Sequence, residues 1–229
     1  MFYYGFDLYY LYLIVPAMLI SLFAQIRVKS SFSKYSNVFC SMNGAQAAEA
    51  VLNLNGVHGV KIERVQGSLT DHFDPRTNII RLSDTVFSSN TVAAVGVAAH
   101  EAGHAVQYAK QYAPIKIRAA ILPLCNIGSR LSIPLILIGM IASFSFLIDL
   151  GIIFFALAIT FQLVTLPVEF NASRRALAAI REHNLLTKEE DYKGAKKVLS
   201  AAALTYVAAF LLSLMQLVRL IAISGRRRN

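Results

Sequence analysis

The sequence predicts a multi-pass α-helical membrane protein carrying one small α+β extramembrane domain. Of its 229 residues, 56% are hydrophobic, and the mean hydropathy is +0.53. The apolar residues are gathered into long blocks instead of being spread at the spacing of a soluble core. A helix needs roughly 20 residues to cross a bilayer. Leu8–Ile26, Leu131–Ile148, Leu150–Val168 and Val198–Ser224 reach or approach that length.

The first block, within an anchor over 1–26, is followed by Arg27, Lys29 and Lys34 and has no Lys or Arg before it. That order favours an uncleaved anchor over a signal peptide and places residue 27 onward in the cytoplasm. The stretch 27–118 is polar enough to be a folded domain. Within it, Gly44–Leu54 reads as an alanine-rich helix, Val60–Val65 alternates as a half-buried strand, and Asp74–Asn78 is a turn leading to a second strand over Ile79–Leu82. The run Ser88-Ser89-Asn90-Thr91 offers caps for a long helix from Val92 to Tyr112.

Beyond it, 119–168 forms a transmembrane hairpin. As one helix, Leu131 to Val168 would measure about 57 Å, nearly twice a bilayer core of roughly 30 Å. The expected reversal is at Asp149 and Gly151. Pro167 suits the start of the next helix, which occupies 169–197 with its following loop. Residues 198–229 are a last span and a basic tail. A full crossing there carries Arg226, Arg227 and Arg228 outside, against the positive-inside trend, so whether 198–224 fully spans stays open.

The net charge of +9 raises a nucleic-acid partner, but the basic residues flank the spans as loop anchors do. No lysine and aromatic run resembles a base-stacking platform, so no nucleic acid is expected. Cys40 and Cys125 make neither a C-x-x-C pair nor a disulfide framework.

His100-Glu101-Ala102-Gly103-His104 carries the chemistry. Residues four apart share a helix face, so both imidazoles can meet one ion. Glu101 lies one residue round, positioned to take a proton from a water on the metal. The expected metal is Zn2+, which at a catalytic site takes three protein ligands. The bland alternative is a capped helix with two surface histidines. Against it, Val95, Ala98, Ala99 and Ala102 make the helix apolar, and burying these polar groups without a metal is costly. Gly103, a poor helix former, suggests close packing on another element. The third ligand is expected from the side to which the two-span hairpin returns, where the first acid is Glu169. His72 and His183 remain rival ligands, and an ion pair with Arg174 or Arg175 is the alternative for Glu169.

These segments resemble the YugP-type neutral zinc metallopeptidases, a bacterial membrane family. The matching stretches are Leu69–Arg76, Ala98–Val106, Leu166–Ala176 and Gly194–Leu199. The chain is more distantly similar to the HtpX and CAAX-processing membrane proteases, whose E-x-x-A-D helix maps onto Glu169 and leaves Ser173 where they have Asp. A serine offers only a neutral hydrogen bond there. The resemblance implies gluzincin-like peptidase activity in a zincin-like (gluzincin) domain and reveals no particular substrate. The expected reaction is hydrolysis of a protein or peptide substrate, membrane-associated or misfolded, near the inner membrane face. The resemblance also suggests that Ile79–Leu82 is an edge strand receiving substrate, the alternative being an ordinary strand of a small sheet. The chemistry separately needs a donor for the oxyanion, with Tyr206, Arg174 and His72 as unranked candidates. The alternative from another class is a non-catalytic membrane scaffold with a structural zinc. The sequence does not define an oligomeric state.

Overall fold

The computed structural model describes the backbone of residues 8–228 and the side chains of residues 8–225. Residues 1–7 of the expected anchor and Asn229 lie outside the described residues, as do the side chains of the Arg226–Arg228 tail. Among the described residues, four helices are long and apolar enough to cross a membrane. The elements run α1 (Val15–Tyr35, preceded by a π-helical Tyr10–Ile14), α2 (Gly44–Leu54), β1 (Lys61–Val65), β2 (His72–Asp74), β3 (Ile79–Ser83), α3 (Asp84–Phe87), α4 (Val92–Ala109), α5 (Ala113–Ile141), α6 (Ser145–Glu182) and α7 (Glu189–Arg228).

The chain divides into two compact units. The first contains residues up to Gln25, Ile117–Thr165 and Thr205 onward. Its α5 and α6 reverse at Ala142–Phe144, not at Asp149 and Gly151. Ser143 takes a left-handed φ of 53°, and the Phe144 N–H bonds the Gly139 carbonyl at 2.9 Å, closing α5 as an αL residue closes many helices. Asp149 and Gly151 lie inside α6. Gly151 is there for close approach: a Cβ would stand 2.8 Å from the Ser132 carbonyl oxygen and 2.6 Å from Ile136. Gln162 Nε2 donates to Ser213 Oγ at 3.0 Å, tying α6 to α7.

The second unit contains Ile26–Lys116 and Leu166–Leu204. Asn43 and Gln46 cap α2 reciprocally, each side chain accepting from the other's backbone at 2.9 Å. Such a cap is worth about 1 kcal/mol. Ala47, Ala48, Val51 and Leu52 form the buried face of α2, which packs on α4. Thr91 caps α4, accepting from the Ala94 N–H at 3.3 Å. Val95, Ala98, Ala99, Ala102 and Val106 then join Ile80, Leu82, Ala176, Ile180, Ala195 and Leu199 in one apolar core.

The sheet has the order β1-β3-β2, with β1 parallel and β2 antiparallel to β3. Ile79–Leu82 is therefore the central strand, not the expected edge. Its Ile80 and Leu82 are fully buried, and both of its hydrogen-bonding sides are used. The extra edge strand, β2, is three residues long, too short to show alternation in sequence. Its return turn is built by Asp74, whose carboxylate accepts from the Arg76 N–H, the Thr77 hydroxyl and Arg81. Those three donors hold its pKa down at about 2. Asp71 accepts from the Ser83 N–H at 2.7 Å and the Ser83 hydroxyl at 3.0 Å; burial nevertheless raises its pKa. The Leu69–Arg76 motif is thus a turn-building device around β2 and β3.

Pro167 does not begin a helix either. It lies inside α6, where its fixed φ is helical and one backbone hydrogen bond is lost. As a result Glu169 sits in mid-helix.

Candidate metal centre

Helix geometry puts His100 and His104 one above the other on α4, with ring centroids 4.7 Å apart and ring planes at 85°. Val168, Ala172 and Ala176 of α6 are buried, and α4 reaches this face through Gly103. A Cβ on Gly103 would stand 2.7 Å from the Ala172 carbonyl oxygen, a backbone atom with no rotamer to yield. The close packing expected of Gly103 is therefore present, with α6 as the partner.

This approach brings Glu169 against both histidines. Its Oε2 lies 3.2 Å from His100 Nε2 and 3.5 Å from His104 Nε2. Glu169 is only 3% exposed. One ligand atom from each of His100, His104 and Glu169 falls within 4.8 Å of the others.

The opposite ring nitrogens are already engaged. Ser173 Oγ is 3.1 Å from His100 Nδ1. Gln107 Oε1 is 3.1 Å from His104 Nδ1. The Gln107 amide is oriented by its other contacts: Nε2 donates to the Val168 carbonyl at 2.7 Å and to Asn171 Oδ1 at 3.0 Å. Both of its N–H groups are then spent, so Oε1 must accept from His104 Nδ1–H. That tautomer turns the lone pair of His104 Nε2 toward Glu169. Arg175 Nε completes the chain, donating to Asn171 Oδ1 at 2.8 Å.

A buried carboxylate facing imidazole lone pairs is repulsive unless a cation lies between them. His104 expresses this as a proton affinity. Burial opposes its charged form, yet hydrogen bonding and charge from Glu169, with the charge of Glu101, raise its pKa above the ordinary value. Two neutral nitrogens and one carboxylate also match the His₂Glu donor set of catalytic zinc. The residues present fit the ion.

Glu101 is half-buried on α4 beside these groups. The rival ligands lie elsewhere. His72 is exposed on β2, with Nδ1 2.8 Å from the Thr70 carbonyl oxygen, and His183 is exposed beyond the end of α6. Arg174 is exposed on α6, and Tyr206 belongs to the other unit. Sequence reasoning missed Gln107. The available signal was a polar residue three positions after His104 in an otherwise apolar helix. Gln107 is fully buried. We expect Gln107→Leu to fold but to bind zinc about 10–100-fold more weakly, as read by competition with a chromogenic chelator. Unchanged affinity would leave Gln107 a packing residue.

Four membrane-length helices among the described residues and a His–His–Glu group on two facing helices that could hold a metal ion define the class: a membrane protein with a candidate metal centre. A family profile described as "Putative neutral zinc metallopeptidase" matches residues 10–225. The chain belongs to that family. It is 45% identical over 224 residues to the "Putative membrane protease YugP" of Bacillus subtilis (strain 168), covering 96% of this chain and 99% of that protein. No solved structure matches the chain.

Proposed function

We propose that the chain is a zinc-dependent endopeptidase of the cell membrane, with a zincin-like domain over 27–118 completed by the helix in 169–197. His100, His104 and Glu169 are its metal ligands. The proposal rests on the convergence of His100 Nε2, His104 Nε2 and Glu169 Oε2 on one point. Zinc, when bound, supplies a Lewis acid that lowers the pKa of a bound water to about 7. Glu101 takes the proton of the attacking water and delivers it to the amine nitrogen as the C–N bond breaks. Ser173 and Gln107 hold the two rings so that Nε2 of each faces the ion. Substrate backbone pairs with the outer edge of β2, which packs beside α4 through Phe73 and Tyr108, their rings 6.1 Å apart. Substrates are membrane-associated or misfolded proteins. The expected result is that purified protein holds about one zinc per chain and cleaves a denatured protein. A chelator should abolish cleavage, and stoichiometric zinc should restore it. Zinc-loaded protein that leaves every denatured substrate intact would refute the reading.

In this reading 27–118 and 169–197 face the cytoplasm, which their basic residues support, with 1–26, 119–168 and 198–229 in or at the membrane. Ser68 and Asn184 are both exposed. Single cysteines at these positions, in a cysteine-free background, should resist an impermeant thiol reagent added to intact cells. Labelling of both would invert the orientation.

A further inference from the structure

The outer face of α5 carries polar groups at mid-membrane depth that nothing among the described residues covers. One side of α5 is buried by α6: Cys125, Gly128, Ser132, Ile136 and Gly139 point that way. The opposite side, at helical spacing, presents Pro123, Asn126, Arg130, Pro134 and Leu137, all exposed. Arg130 lies about 18 Å along the helix from Arg118 and about 17 Å from Ile141, where α5 ends. For a core of roughly 30 Å, that is the midplane.

The side chains of Asn126 and Arg130 have no partner among the described residues. The two prolines inside α5 add to the polarity. Pro134 removes the N–H that would bond the Arg130 carbonyl, and Pro123 removes the one for Ala119. A guanidinium, an amide and freed carbonyls cannot face hydrocarbon cheaply. Ionisable groups at this depth face a protein or water-lined surface and pair with an opposite group.

A second copy of the chain is a poor occupant. A two-fold contact on this face would set Arg130 against Arg130. Asp149 is the only acid among the described residues of this unit. It lies about 6 Å from the hairpin end of α6, so it misses the depth of Arg130 by about 10 Å. We propose that the α5 face docks a transmembrane segment of another protein, one bearing a carboxylate or amide near its centre. Such a segment would belong to a membrane-protein substrate. This deepens the endopeptidase reading and rests on it for the word substrate, but the docking itself needs no catalysis.

The test uses full-length Glu101→Gln protein as purified, in phosphatidylcholine vesicles, with one cysteine at Leu137 in a cysteine-free background. Two synthetic leucine-rich helical peptides carry a thiol-reactive crosslinker at the matching depth, one with a central Asp and one with Leu. The Asp peptide should crosslink about tenfold more, the value of one charge-assisted hydrogen bond. Arg130→Leu should erase the difference, and Arg130→Lys should keep most of it. Equal crosslinking of the two peptides, or a preference that survives Arg130→Leu, would overturn the proposal. So would crosslinks between two copies in place of peptide, or loss of the preference when phosphatidylglycerol is added, which would assign the face to a lipid phosphate. Failed docking beside intact wild-type cleavage of a soluble denatured protein rejects only this inference. Arg130-dependent docking without cleavage rejects only the peptidase reading.

Discussion

Glu101→Gln should keep about one zinc per chain and lower hydrolysis of a denatured protein by ~10²–10⁴-fold, the usual range for a general base. The substitution preserves shape and removes only the capacity to accept a proton. Glu101 is half-buried, and the three donor atoms come from His100, His104 and Glu169, so neither the α4 core nor the ligand set depends on its carboxylate. Zinc content measured alongside the rate separates the two effects. Lost activity with retained zinc assigns Glu101 to the proton transfer. Wild-type activity in the variant removes it from the mechanism. If wild type is itself inactive while the zinc is bound tightly, the scaffold reading takes its place, since a structural site has no use for that carboxylate.

Much of this centre was legible because its signals are local. His100, Glu101 and His104 need only a helix, and the Thr91 cap with a proline-free run supplies it. Glu169 was reached by counting crossings, and that count does not depend on where the hairpin turns. The reversal at Ala142–Phe144 and the continuation of α6 through Pro167 therefore left that count unchanged. What failed required knowledge of neighbours. A glycine that opens a turn and one that admits a facing helix look alike in sequence, and Gly151 is of the second kind. The central place of β3 depends on β2, whose three residues carry no readable period. Gln107 acquires meaning only once Val168 and Asn171 are beside it.

Glu169→Ala should strip zinc from protein that still folds, with His72→Ala and His183→Ala retaining the ion at wild-type affinity. Three facts set the size of the effect. Glu169 is buried and supplies the one anionic donor of the group. Two neutral imidazoles leave a divalent charge uncompensated in a low-dielectric site, where charge interactions are strongest. Removing the carboxylate also leaves two protein ligands where a catalytic zinc needs three. The packing cost is smaller, because Val168, Ala172 and Ala176 remain to hold α6 against α4. Ser173→Ala removes only the contact on His100 Nδ1 and should fall between, at about 10–100-fold weaker binding. Metal content after gel filtration, with circular dichroism as the check on folding, reads all four variants. Folded Glu169→Ala protein that holds zinc as tightly as wild type, beside a histidine variant that does not, would transfer the third ligand to that histidine.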